Sequence, residues 1–299
     1  MNSPLIKTLK AVNFMSGKTA AKEELTRHRK LAEWAGRVAT PKGDTERRRF
    51  RMDKLRCEEV TPSFAHNPNY VILYCHGGGY VSGGLDYAGN LAVKLAMATG
   101  FTTYSFAYRL APEHPYPAAM EDAAAMWEYI TENVAPADYV LLAGDSAGGN
   151  MALCLTQKLI DEGRPAPREL ILFSPWTDMT CTADSYEANK DIDPILNRDF
   201  VAESAAAYLG ENDPADAAYS PLFGSFEGFP TTYIMAGRNG ILLDDSIRLK
   251  ERIEQAGGRA VIDIEEKGWH VYQQMPVPMA REAMKRLAAH VSDEIYGKR

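Results

Sequence analysis

The stretch Tyr139-Val140-Leu141-Leu142-Ala143-Gly144-Asp145-Ser146-Ala147-Gly148-Gly149-Asn150 runs from an apolar, strand-like segment through the pattern G-x-S-x-G into a helical one. Glycine makes up about 7% of average sequences, so such a pentapeptide arises by chance in roughly one chain in ten of this length, and its context must carry the reading. At a strand-to-helix junction the glycines permit a tight, strained turn. That turn lifts the serine hydroxyl to the edge of a sheet and leaves its backbone amide at a helix start. Ser146 is thereby the candidate nucleophile.

Upstream, His76-Gly77-Gly78-Gly79-Tyr80 follows directly on the strand-like run Val71–Cys75. Three consecutive glycines leave backbone amides unobstructed, so two of them can point at one oxygen and stabilise negative charge developing on an attacked carbonyl. A phosphate cradle would want a following Lys-Ser or Lys-Thr, which is absent. His76 reads as an anchor for this loop. Downstream, the general base is expected in a loop after the last strand, in the chain order serine, acid, histidine. His270 in Gly268-Trp269-His270 meets that position, between the strand-like Ala260–Glu265 and the final helix. His28 and His290 fall in predicted helices, His66 in a turn near Pro68 and His114 in a proline-rich loop.

Further β-like runs at Phe101–Tyr108, Glu169–Phe173 and Thr231–Ala236 alternate with helical stretches, including Ser146–Glu162 and Ile247–Ala256. The last helix carries Met284, Leu287, Ala288, Val291 and Ile295 on one stripe. Strands alternating with helices predict an α/β fold with a mostly parallel central sheet and helices on both faces. Residues 1–45 read as an N-terminal helical cap, with Leu5, Leu9 and Val12 on one face and Leu31, Trp34, Ala35 and Val38 on another. Residues 46–176 form the first part of the core and residues 221–299 the second. Between them, residues 177–220 lose the strand rhythm. Turns at Asp193-Pro194, Asn212-Asp213-Pro214 and Ser220-Pro221 there surround a helical stretch at Phe200–Leu209, which predicts a cap insertion over the strands' carboxyl ends.

The bulk properties are globular: 299 residues, 45% hydrophobic and 24% charged. A net charge of -7 argues against a nucleic-acid partner, which would call for concentrated positive charge. The basic run Arg47, Arg48, Arg49 and Arg51 precedes an alternating segment and reads as a solvated strand edge. No stretch has the apolar length of a membrane span, so no membrane partner is expected. Met1-Asn2-Ser3-Pro4-Leu5-Ile6-Lys7 lacks the basic start and apolar run of a secretory signal, which favours a cytoplasmic location. Cys57, Cys75, Cys154 and Cys181 are scattered without a C-x-x-C pair, which predicts reduced, mostly buried thiols and no metal cluster.

With His76-Gly77-Gly78-Gly79, Gly144-Asp145-Ser146-Ala147-Gly148-Gly149-Asn150 and Tyr108-Arg109-Leu110-Ala111-Pro112-Glu113-His114-Pro115-Tyr116-Pro117-Ala118-Ala119 taken together, the chain resembles the bacterial hormone-sensitive-lipase-like esterases. The resemblance implies an α/β-hydrolase fold and a carboxylesterase for short- to medium-chain acyl esters. It further implies a small-molecule ester substrate, no cofactor, a possible homodimer, and oxyanion donors at Gly78, Gly79 and Ala147. It also implies a catalytic Asp or Glu after the seventh strand, followed two positions later by leucine. Here that segment reads Ala236-Gly237-Arg238-Asn239-Gly240-Ile241-Leu242-Leu243-Asp244-Asp245-Ser246, and matching Leu242 puts Gly240 at the acid position. Glycine has no side chain to hold the imidazole, and losing the acid's charge costs about 10⁴ in turnover.

Three readings follow. Asp244 or Asp245 substitutes, although an aspartate there is more simply a helix N-cap. Asn239 orients His270 as a neutral partner. Or the acid has been replaced in an otherwise intact esterase, the reading the remaining motifs favour. Two other functions compete: a non-hydrolytic ligand-binding protein on the same scaffold, and an acyltransferase to alcohols.

Overall fold

The computed structural model describes residues 22–64 and 67–297. The expected face at Leu5, Leu9 and Val12 and the turn at His66 lie outside the described residues. In chain order the strands are β1 (Thr45–Met52), β2 (Leu55–Pro62), β3 (Val71–Cys75), β4 (Thr102–Ala107), β5 (Val140–Asp145), β6 (Glu169–Phe173), β7 (Thr231–Gly237) and β8 (Ala260–Glu265). They form one sheet in the order β1-β2-β4-β3-β5-β6-β7-β8. β1 pairs antiparallel with β2, and β2 with β4; every later pairing is parallel.

Burial explains the pattern. Every residue of β3, β5 and β6 is buried, as expected where helices cover both faces. Alternate residues feed two cores. Leu73, Leu142, Leu172 and Ile234 pack with the helices Ala118–Asn133, Ala147–Asp161 and Leu243–Gln255. On the other face, Ile72, Leu141, Ile171 and Met235 pack with Leu85–Thr99 and Pro278–Tyr296.

The expected strands recur with small shifts, β5 running on into the G-x-S-x-G motif. The β1–β2 hairpin was not among the expected runs. Its outer strand is an edge of the sheet, mostly exposed and rich in arginine. Those arginines pair with acids: Arg47 with Glu58 at 2.7 Å, Arg48 with Glu59, and Arg49 with Glu58 at 2.9 Å. The N-terminal helix Lys22–Ala39 corrects another expectation. Trp34 and Val38 are 59% and 65% exposed, and the helix docks instead through Leu25 and Gly36. Polar bonds set that orientation. Arg29 donates to Val81 O at 2.7 Å and Ala111 O at 2.8 Å, while the Glu33 carboxylate accepts from Asp86 and Tyr87 N–H at 3.2 and 3.1 Å. In the insertion, the helix Arg198–Leu209 starts on the Asn197 side chain, which accepts from Phe200 N–H at 2.8 Å.

Candidate active site

Ser146 sits between β5 and the helix Ala147–Asp161 at φ 54° and ψ −119°. A β-carbon on Gly144 would stand 2.2 Å from Gly148 O, and one on Gly148 would stand 2.0 Å from Cys75 O. The flanking glycines are therefore required by the close crossing of backbone at the turn. Ser146 Oγ lies 3.0 Å from His270 Nε2. His270 follows β8, and burial pushes its pKa down to about 3, so the imidazole rests neutral and its protonated form is disfavoured where no charged partner offsets the burial.

The loop after β3 turns on two positive-φ glycines, Gly78 at 109° and Gly79 at 64°. Gly78 O accepts from Val81 N–H at 3.1 Å and Ser82 N–H at 2.9 Å, which fixes the turn. His76 is fully buried and stacks on Tyr108 at 4.2 Å, its Nδ1 standing 2.7 Å from Gly77 O. Burial lowers its pKa to about 4. Sequence reasoning missed the clamp at Asp145. Its carboxylate accepts from Gly77 N–H at 2.7 Å and from the hydroxyls of Tyr74 and Tyr87 at 2.6 and 2.8 Å. The residue before the serine thus ties the glycine loop to the turn. No spacing in the sequence announces this bond.

Gly78, Gly79, Ser146 and His270 line a cavity of about 170 Å³. Its roof comes from two places: His28 and Ala32 of the N-terminal helix, and Leu196, Phe200 and Val201 of the insertion. His28 and Phe200 meet at 5.1 Å between ring centroids, which joins the two halves of the roof.

At the acid position, a β-carbon on Gly240 would stand 3.2 Å from His270 N. The loop therefore runs beside the backbone of His270, and position 240 offers it no side chain. His270 Nδ1 is buried without a hydrogen-bond partner among the described residues. The named substitutes are engaged elsewhere. The Asp244 carboxylate accepts from Ser185 N–H at 2.7 Å. Asp245 Oδ1 accepts from Thr177 N–H at 2.7 Å, Asp178 N–H at 3.1 Å and Thr177 Oγ1 at 3.1 Å, while Oδ2 is buried without a partner among the described residues. The expectation that they are N-caps is also corrected: the helix begins at Leu243, ahead of the expected Ile247, with Leu242 at the N-cap, so both fall in its first turn. Asn239 joins the loop through its backbone N–H to Gly268 O at 2.9 Å.

A carboxylate that sequence reasoning did not single out does reach this loop. Asp193, 4% exposed, accepts from Ile195 and Leu196 N–H at 2.9 and 3.2 Å through Oδ1, and from Ile241 N–H at 3.0 Å through Oδ2. Burial pushes its pKa up to about 6, against the opposing pull of amides that include that of His270. The available signal was Asp193-Pro194, which reads as a turn.

Residues 72–274 match the family described as alpha/beta hydrolase fold. An esterase from Acinetobacter venetianus is 32% identical over 81% of this chain and 80% of its own length. An acetyl-hydrolase from Streptomyces hygroscopicus is 32% identical over 79% of this chain and 77% of its own. The crystal structure of an esterase from the bacterial hormone-sensitive lipase family superposes with a TM-score of 0.89 at 29% identity, covering 99% of both chains.

Proposed function

This chain belongs to the bacterial hormone-sensitive-lipase-like esterases of the α/β-hydrolase fold and is a carboxylesterase, and we propose that it hydrolyses short- to medium-chain acyl esters through an acyl-enzyme on Ser146. The observation that carries this reading is the 3.0 Å contact between Ser146 Oγ and His270 Nε2 at a strained turn opening on a small apolar pocket. In the first step the Ser146 proton passes to His270 Nε2 as Oγ bonds to the ester carbon, and the carbonyl electron pair moves onto oxygen. The amides of Gly78, Gly79 and Ala147 are the donors we assign to that oxyanion. Collapse expels the alcohol, which takes the proton from His270. Water then repeats the sequence on the acyl-enzyme, releasing the acid and returning the proton to Ser146.

The cavity of about 170 Å³ supports a small acyl group; sites for drug-sized ligands run to roughly 300–1,000 Å³. No helix among the described residues is long and apolar enough to cross a membrane. The four free, buried cysteines suit a reducing compartment, and we assign the enzyme to the cytoplasm. The test is hydrolysis of p-nitrophenyl acetate and butyrate together with labelling by a fluorophosphonate. Ser146→Ala is expected to bring both to background. Label that persists in this variant, or turnover that survives it, would sink the assignment.

A further inference from the structure

His270 presents Nε2 to Ser146 and leaves Nδ1 buried without a partner. An imidazole in that state has no group to fix its tautomer or to balance the positive charge it acquires in the transition state. Other carboxylates near the site are bound away from the loop that carries Gly240. Asp145 is held by Tyr74, Tyr87 and Gly77, Asp178 by Arg248 and Thr180, Asp244 by Ser185, and Asp245 through Oδ1 by Thr177 and Asp178, its Oδ2 being buried without a partner among the described residues.

Asp193 is placed differently. The segment that carries it is fastened onto the loop Arg238–Ile241: Asn189 Nδ2 donates to Gly240 O at 2.8 Å and Arg238 O at 3.1 Å, and Ser185 Oγ donates to Ile241 O at 2.7 Å. Asp193 Oδ2 then accepts from Ile241 N–H at 3.0 Å. The Gly240 β-carbon position stands 3.2 Å from His270 N, so the backbone of His270 and the amide holding Asp193 flank the same vacant side-chain site. A carboxylate seated there already meets the backbone amide of His270, the residue whose Nδ1 has no partner among the described residues.

We infer that Asp193, brought in by the insertion between β6 and β7, orients His270 and balances its imidazolium in place of a carboxylate at position 240. This rests on Ser146 and His270 being nucleophile and base. Asp193 is a positioning residue. It accepts a hydrogen bond from Nδ1–H and takes no proton, while the Ser146 proton travels to Nε2. Its pKa of about 6 leaves it mostly ionised at neutral pH.

Two substitutions in the full-length chain test the inference, read by kcat and KM on p-nitrophenyl butyrate, with melting temperature as the folding control. Asp193→Asn is expected to lower kcat by 10²- to 10⁴-fold with KM changed less than about threefold, since the charge acts on the transition state. Adding Gly240→Asp to Asp193→Asn is expected to recover at least tenfold. Gly240→Asp in the parent is expected to change kcat by less than tenfold, because the carboxylate is already supplied. A gain of tenfold or more from Gly240→Asp in the parent overturns the inference, as does an unchanged kcat in Asp193→Asn. A loss in normally melting Asp193→Asn that Gly240→Asp leaves unrecovered also overturns it, by making Asp193 structural. Should Asp193→Asn fail to fold, the parent Gly240→Asp result decides by the same tenfold line. Turnover that survives Ser146→Ala would instead strike the underlying reading.

Discussion

At the scale of the residue, a carboxyl group buried in the folded chain keeps its proton to higher pH than it does unfolded, and Asp245 is such a group beside the site. Burial raises its pKa from 3.8 to about 7. The folded state therefore binds more protons than the unfolded one between those values, and stability falls as pH rises through that window. Asp245→Asn keeps an oxygen for Thr177 and Asp178 while removing the charge. The variant is expected to melt higher than the parent at pH 8, by at most about 4 kcal/mol from a shift of about three units, with the difference vanishing near pH 4. Its kcat should stay within a fewfold of the parent's. Equal melting at pH 8 would contradict the burial argument, and a collapse of kcat would make Asp245 the triad acid. Residues of this kind mark the boundary of what the sequence discloses. Ser146 and His270 are legible because a local motif and chain order define them, and Gly240 is legible as a gap in a motif. Asp193 is not, because a lone Asp-Pro reads as a turn until tertiary contact sets it beside Ile241 and His270.

At the scale of the element, the roof of the pocket is made by the start of the helix Arg198–Leu209 and the face of Lys22–Ala39 that carries His28 and Ala32. The first was legible from turn residues and periodicity. The docking face of the second was not, because Arg29 and Glu33 orient it through backbone groups of the core while its apolar Trp34 and Val38 face outward. The basic run was legible as a strand edge, but its pairing into the β1–β2 hairpin was not, because its arginines answer to acids on the neighbouring strand. Phe200 closes the cavity against His28. The parent is expected to lose kcat/KM steadily from p-nitrophenyl butyrate to the decanoate, and Phe200→Ala to move the optimum to a longer chain. The truncation should lower stability by up to about 3 kcal/mol, the low end for a buried phenylalanine. An unchanged chain-length profile in a folded Phe200→Ala would remove this helix from the acyl site.

At the scale of the whole molecule, the groups around the reaction come from parts of unequal stability. The turn at Ser146 and the loop bearing His270 hang on β5 and β8 of one continuous sheet, whose central strands are buried throughout. This sheet was legible because each buried parallel strand is an unbroken apolar run. The segment Ser185–Asn197 has a narrower footing. It is largely irregular and exposed at several positions, anchored by the buried Tyr186 and Leu196 and tied to the core loop by the bonds of Ser185, Asn189 and Asp193. Irregular segments with fewer buried apolar contacts than a sheet open at lower free energy than the core they rest on. If that segment carries the partner of His270, opening it disables catalysis while the sheet stands. Turnover on p-nitrophenyl butyrate is therefore expected to disappear at a lower urea concentration than the far-ultraviolet circular dichroism of the sheet and helices, and Gly240→Asp in the Asp193→Asn background should bring the two midpoints together by returning the carboxylate to the core. Coincident transitions in the parent would mean that the insertion unfolds with the sheet as one cooperative unit.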